Sequence, residues 1–194
     1  MTPASLFAAL LSGLFCLSAL AAEDSMTVTV ATNILPGTCN AHIETPSSPN
    51  ATQVNLGEAN YADIIAKTKV QTFYLAFSDC AGLANDQALV QLRPRGKCDG
   101  TANNGKGFAN ALTGPGTAEG VSIEVWTGMA PATGTSTQLG CALPVIQTVN
   151  VALGRTTTLL WPLSARLVVA QDKTSGDITS GAFSAPAMFT MTYR

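Results

Sequence analysis

The sequence predicts an all-β domain, a sandwich or a barrel. Three observations carry that expectation. Apolar residues alternate with period two, no segment shows the 3.6-residue spacing of a convincing amphipathic helix, and Gly, Pro, Asn, Ser and Thr cluster between the apolar runs. Many short strands separated by such clusters form closed or two-layered sheets.

The elements follow in chain order. Residues 5–21 (SLFAALLSGLFCLSALA) are an uncharged apolar run that ends in small residues and turns polar at Glu23. This is the pattern of a secretory signal peptide, here 1–21 with cleavage after Ala21 or Ala22. The alternative, a signal anchor, needs roughly 20 apolar residues to span a bilayer. Met26, Val28 and Val30 then alternate with Thr27 and Thr29, a strand candidate set apart from the body by Ile34-Leu35-Pro36-Gly37. A strand at a free terminus pairs within its own fold or with another molecule's sheet edge, and the pattern alone leaves both open.

Further strands are expected at Val70 to Phe77, at Leu89 to Leu92 with a stop at Pro94, at Val121 to Trp126, at Val145 to Leu153 and at Leu163 to Ala170. The last runs from Phe183 to Tyr193, with Ala185, Ala187, Phe189 and Met191 on the same face. Residues 46–52, 99–107, 113–120, 128–140 and 171–181 read as loops, and 59–67 as one or two helical turns. There is no internal repeat and no linker to a second domain.

Composition narrows the function. The 194 residues are 46% hydrophobic and 11% charged, with 10 Lys+Arg against 12 Asp+Glu. That balance gives no electrostatic footprint for nucleic acid, and the apolar content argues against disorder. The five cysteines include Cys16, which lies within the apolar leader. Its removal leaves Cys39, Cys80, Cys98 and Cys141, an even set suited to an oxidising compartment. Their wide spacing is unlike the close ligand pairs of a zinc site, so two disulfides are expected, with three pairings open.

Catalytic and cofactor motifs find no support. Gly100-Thr-Ala-Asn-Asn-Gly105-Lys106-Gly107 is close to a phosphate-binding loop, but Gly107 stands where the magnesium-binding hydroxyl belongs. His42, the single histidine, has no G-x-S-x-G nucleophile elbow to serve. Trp126 and Trp161 fall in or beside strand patterns and are expected to pack in the core rather than stack on sugars. Asn50-Ala51-Thr52 is a glycosylation sequon, which matters only in a eukaryotic secretory pathway. No catalytic residue, metal or cofactor is expected.

The mature chain resembles the pilin subunits of the chaperone–usher pathway, in the type 1 fimbrial family. The resemblance rests on Cys39 at the start of the body, on Val54-Asn55-Leu56-Gly57 as a short strand and glycine, and on Phe73-Tyr74-Leu75-Ala76-Phe77-Ser78-Asp79-Cys80 as the second strand. Its most specific part is the C-terminus, with Gly181 fourteenth from the end, alternating apolar residues and the penultimate Tyr193.

The resemblance implies an incomplete immunoglobulin-like β-sandwich, the pilin fold, completed by a donor strand from another subunit. Residues 22–36 would be the donor extension, with Met26, Val28, Val30 and Thr32 as its knobs, and 37–194 the pilin domain. Gly181 and the alternating residues Phe183 to Tyr193 would form the chaperone and acceptor groove. The family pairs its first two cysteines, which implies Cys39–Cys80 and leaves Cys98–Cys141 as a bridge not general to the family. A further departure is that residues 23–36 hold no glycine, whereas many family extensions carry one. The implied function is that of a structural fimbrial subunit supporting cell adhesion, exported through the periplasm to the surface fimbrium. Its implied partners are a periplasmic chaperone, an outer-membrane usher and neighbouring subunits. The alternative is a receptor-binding tip subunit, although the family's tip adhesins carry an extra lectin domain.

Overall fold

The computed structural model describes Thr32 and residues 36–194. The strand expected at Met26, Val28 and Val30 lies outside the described residues, and Thr32 is exposed. Residues 36–194 form two antiparallel sheets with one small helix.

Strand β1 (Thr38–Thr45) turns back into β2 (Ser48–Ala51), a strand placed where a loop was expected. It forms because the hairpin sets Ile43 opposite Ala51 and Thr45 opposite Ser48, not because its own residues alternate. Residues Val54–Gly57, expected as a short strand, have no ladder partner among the described residues. Asn55 Oδ1 instead accepts the Gly57 N–H at 2.8 Å, a local turn that competes with strand pairing. Helix α1 (Tyr61–Ala66) fulfils the helical expectation at 59–67. Its first turn is closed by a capping box: Asn60 Oδ1 accepts Asp63 N–H at 3.0 Å and the Asp63 carboxylate accepts Asn60 N–H at 3.2 Å.

The long strand β3 (Val70–Ala81) sends Phe73, Leu75 and Phe77 into the core, as its alternation predicts. Burying each such side chain contributes about 1.5–3 kcal/mol. Next come β4 (Gln87–Pro94), β5 (Phe108–Ala109), β6 (Val121–Thr127), β7 (Ile146–Asn150), β8 (Leu159–Val169) and β9 (Ala187–Tyr193). One sheet has the order β2-β1-β3-β8-β6-β5 and the other β7-β4-β9. The core lies between them. At one end of the sandwich, here called the top, α1 packs its buried Ile64 with Ala118, Val121 and Ile178. At the other end, the base, Cys39 is bonded to Cys80. A second disulfide joins Cys98 to Cys141. In the chain-entropy model, closures of 41 and 43 residues contribute about 4 kcal/mol each.

Several boundaries differ from expectation: β3 runs past Phe77 to Ala81, and β4 spans Gln87–Pro94 rather than Leu89 to Leu92. The stretch Val145 to Leu153 is a strand only to Asn150, and Ala152–Arg155 form a 3-10 turn at the base. Gly154 makes that turn fit, since a Cβ there would stand 2.7 Å from Cys80 Sγ. Strand β8 starts earlier than Leu163 and runs through Pro162. The Pro162 carbonyl accepts Gly128 N–H, so its missing N–H faces the side where β6 has already ended. The C-terminal strand begins at Ala187 rather than Phe183. Pro186 interrupts it, and the preceding residues are bonded elsewhere: Ala182 O accepts Ala118 N–H, and Ser184 N–H is taken by Asn110 Oδ1.

Candidate functional site

The most prominent feature is a long groove of about 1530 Å3 running from base to top. One wall is β9, which pairs with β4 alone, so its second edge has no strand partner among the described residues. Residues 181–186 continue this wall upward. The facing wall is the unpaired segment Thr52–Asn60, with Val54 and Leu56 packed against the core. The floor is core itself: Phe73, Leu75, Leu92, Ile123 and Val125.

Phe183, Ala185, Phe189 and Met191 all line the groove, and Ala187 lies among them. Phe183, Ala185, Phe189 and Met191 pack against the core yet are only partly buried, and Ala187 is exposed. Inward-facing apolar residues left half-covered mark a sandwich open along one side. Tyr193 departs from the sequence expectation. It does not line the groove but closes its base, where Tyr193 Oη donates to the Cys39 carbonyl at 3.4 Å. Partial burial raises its phenol above the ordinary value of 10.0, because desolvation disfavours the phenolate.

Gly181 also stands in the groove wall, but its lack of a side chain answers to a different neighbour. Its φ is 155°, and a Cβ would lie 2.5 Å from the Gly116 carbonyl oxygen and 2.7 Å from Ala118 N. The glycine is required by the body's own backbone. Sequence reasoning named only the C-terminal wall. It missed the Thr52–Asn60 wall and the floor, which alternation marks as inward-facing but cannot mark as uncovered.

The remaining candidates resolve into structural roles. Asp99 is buried at 7% exposure beside the glycine-rich loop. Its carboxylate accepts Gly107 N–H at 2.9 Å, Ser122 Oγ–H at 2.8 Å and Gln171 N–H at 3.1 Å. The loop that mimics a phosphate cradle wraps an anion of its own chain. A Cβ at Gly105 or Gly107 would collide with that carboxylate. His42 Nε2 lies 3.0 Å from Glu44 Oε1 on β1. Trp126, expected in the core, lies on the opposite face of β6 from Ile123 and Val125. There Arg166 sits over its ring, 5.4 Å from the centroid, and both side chains bond Glu124. The period of two puts Trp126 with Ser122 and Glu124, away from the core. Trp161 packs against the core as expected.

No family model matches the chain. Among curated proteins, it is 44% identical over 184 residues to the fimbrial-like protein YadL of Escherichia coli strain K12, itself uncharacterised, with 95% of this chain and 92% of that protein aligned. Among solved structures, the P pilus rod subunit PapA aligns with 87% of this chain at 14% identity and a TM-score of 0.48, a likeness too distant to argue from.

Proposed function

We propose that this chain, which belongs with the fimbrial-like proteins, is a structural subunit of the chaperone–usher type that polymerises by donor-strand complementation. The observation that carries the reading is the groove, a strip of core flanked by the unpaired edge of β9. A foreign strand laid there would gain backbone hydrogen bonds from β9 while alternate side chains covered the floor. In this reading residues 1–21 are removed on export, residues 22–36 are the strand given to a neighbour, and 37–194 are the accepting domain. Met26, Val28, Val30 and Thr32 are the side chains that enter the neighbour's groove.

A periplasmic chaperone fills the groove first and an outer-membrane usher oversees its replacement, which delivers the subunit to a surface fimbrium that supports adhesion. The work is non-covalent and needs no catalytic residue or cofactor. Deleting residues 22–36 tests the proposal. Chaperone binding should persist while incorporation onto a preceding subunit is lost, and normal entry of the truncated chain into fibres would overturn the reading. Conversely, a peptide of residues 22–36 at about 100 times its Kd should stabilise the domain by about 2.7 kcal/mol.

A further inference from the structure

Helix α1 stands at the top mouth of the groove and is held rigidly. Its capping box closes the first turn, and Tyr61 Oη donates to the Ile178 carbonyl at 3.2 Å. Ile64 anchors it in the upper core cluster. Tyr61 and Ile65 nevertheless remain 49% and 54% exposed. As an i, i+4 pair they share one face of the helix. A pair of large apolar side chains beside a groove mouth, left uncovered by the described residues, is a candidate contact surface. The base mouth, by contrast, ends in Ala41 and Met191, both partly buried.

The opposite pole carries a complementary feature. The 3-10 turn Ala152–Arg155 at the base leaves Leu153 53% exposed. That turn is fixed by Arg155, which bonds Asp86 and donates to the Leu83 carbonyl. Gly37, where residues 22–36 join the body, is pressed against the same place: a Cβ there would be 2.6 Å from the Gly82 carbonyl oxygen and 2.7 Å from Leu83 Cδ2. The extension therefore leaves the body beside Leu83, close to the Leu153 turn.

Reach then decides the geometry. If a neighbour's extension occupies the groove as far as Thr32, residues 33–36 span at most about 14 Å, taking roughly 3.3–3.6 Å per residue. The neighbour's base must sit against a groove mouth. We propose that it sits at the top mouth, so that Tyr61 and Ile65 of one copy pack against the Leu153 turn of the next. This is a heterologous, head-to-tail contact, the kind that builds open filaments. It rests on donor-strand exchange and adds to it a second contact. The same contact makes the fibre stiffer at each junction than a strand linker alone.

The test uses full-length protein exported to the periplasm and assembled into polymer. Ile65→Cys and Leu153→Cys variants are mixed and treated with a short bismaleimide. A covalent species of two subunits is expected in the polymer from the mixture and not from either variant alone. In a second arm, Ile65→Ser, which leaves the groove lining and the Tyr61–Ile178 bond untouched, should lower polymer yield roughly tenfold, equivalent to about 1.4 kcal/mol, while affinity for a peptide of residues 22–36 stays within about twofold. Polymers with filled grooves but no cross-link, or a cross-link only to another protein such as the chaperone, would overturn the contact. Failure of the peptide to bind and of polymer to form would overturn donor-strand exchange, and the contact with it.

Discussion

Tyr193 and Cys39 join the last strand to the first: the phenol of Tyr193 donates to the Cys39 carbonyl at 3.4 Å, across the base of the open side. The two residues lie 154 positions apart. The bond fixes β9 beside β1 just where the Cys39–Cys80 disulfide fixes β1 to β3.

This pairing predicts an alkaline sensitivity. The Tyr193 phenol is raised above 10.0 in the fold by burial. The folded state thus holds the proton more tightly than the unfolded state, and the associated stability is present below pH 10. It is lost as pH rises through the folded value, so the urea midpoint should fall above pH 10. Tyr193→Phe should flatten part of that fall and cost about 1 kcal/mol at neutral pH through the lost hydrogen bond. Identical alkaline profiles for the two proteins would contradict the assignment.

Asp99 should be more costly to remove than any surface carboxylate. Asp99→Ala strands three donors, of Gly107, Ser122 and Gln171, that now converge on it. The expected loss is about 3 kcal/mol or more, since each unpartnered buried donor costs about 1–3 kcal/mol. Calorimetric melting with the disulfides intact measures it.

Gly181→Ala should destabilise the isolated domain by about 1–3 kcal/mol, because the residue combines a positive φ with backbone contact on Gly116 and Ala118. Chemical denaturation of the domain without any donor peptide would show the loss. Stability equal to the parent protein would remove Gly181 from the set of structurally required glycines.

Ser164 predicts a gain. Its hydroxyl is fully buried and has no hydrogen-bond partner among the described residues. Ser164→Ala should raise stability by about 1 kcal/mol, read as a higher melting temperature. A drop of that size would mean the hydroxyl has a partner.

Alternation made the central strands legible. Phe73, Leu75 and Phe77 on β3 and Val121, Ile123 and Val125 on β6 are buried on the side their period assigns. The short helix within 59–67 was legible from its own local residues. What could not be read depends on contacts distant in sequence. Strand β2 exists through its hairpin with β1, and Phe183 is withheld from β9 by Asn110 and Ala118, which lie more than 60 positions away. Trp126 was misplaced because its hydrophobicity outweighed its register beside Ser122 and Glu124. The near phosphate loop, set aside on Gly107, has a physical reason for its likeness: glycines that admit a phosphate also admit an aspartate carboxylate.

The Cys39–Cys80 bond acquires a mechanical meaning if subunits are chained through residues 22–36. Traction on such a chain enters the domain at Gly37, two positions before Cys39. Without the bond, that pull would reach the rest of the sheet only through the β1–β3 hydrogen bonds. With it, the load passes at once into β3, which is hydrogen-bonded along its length to β1 and β8. The pull is then shared by the hydrogen bonds that β3 makes to β1 on one side and to β8 on the other.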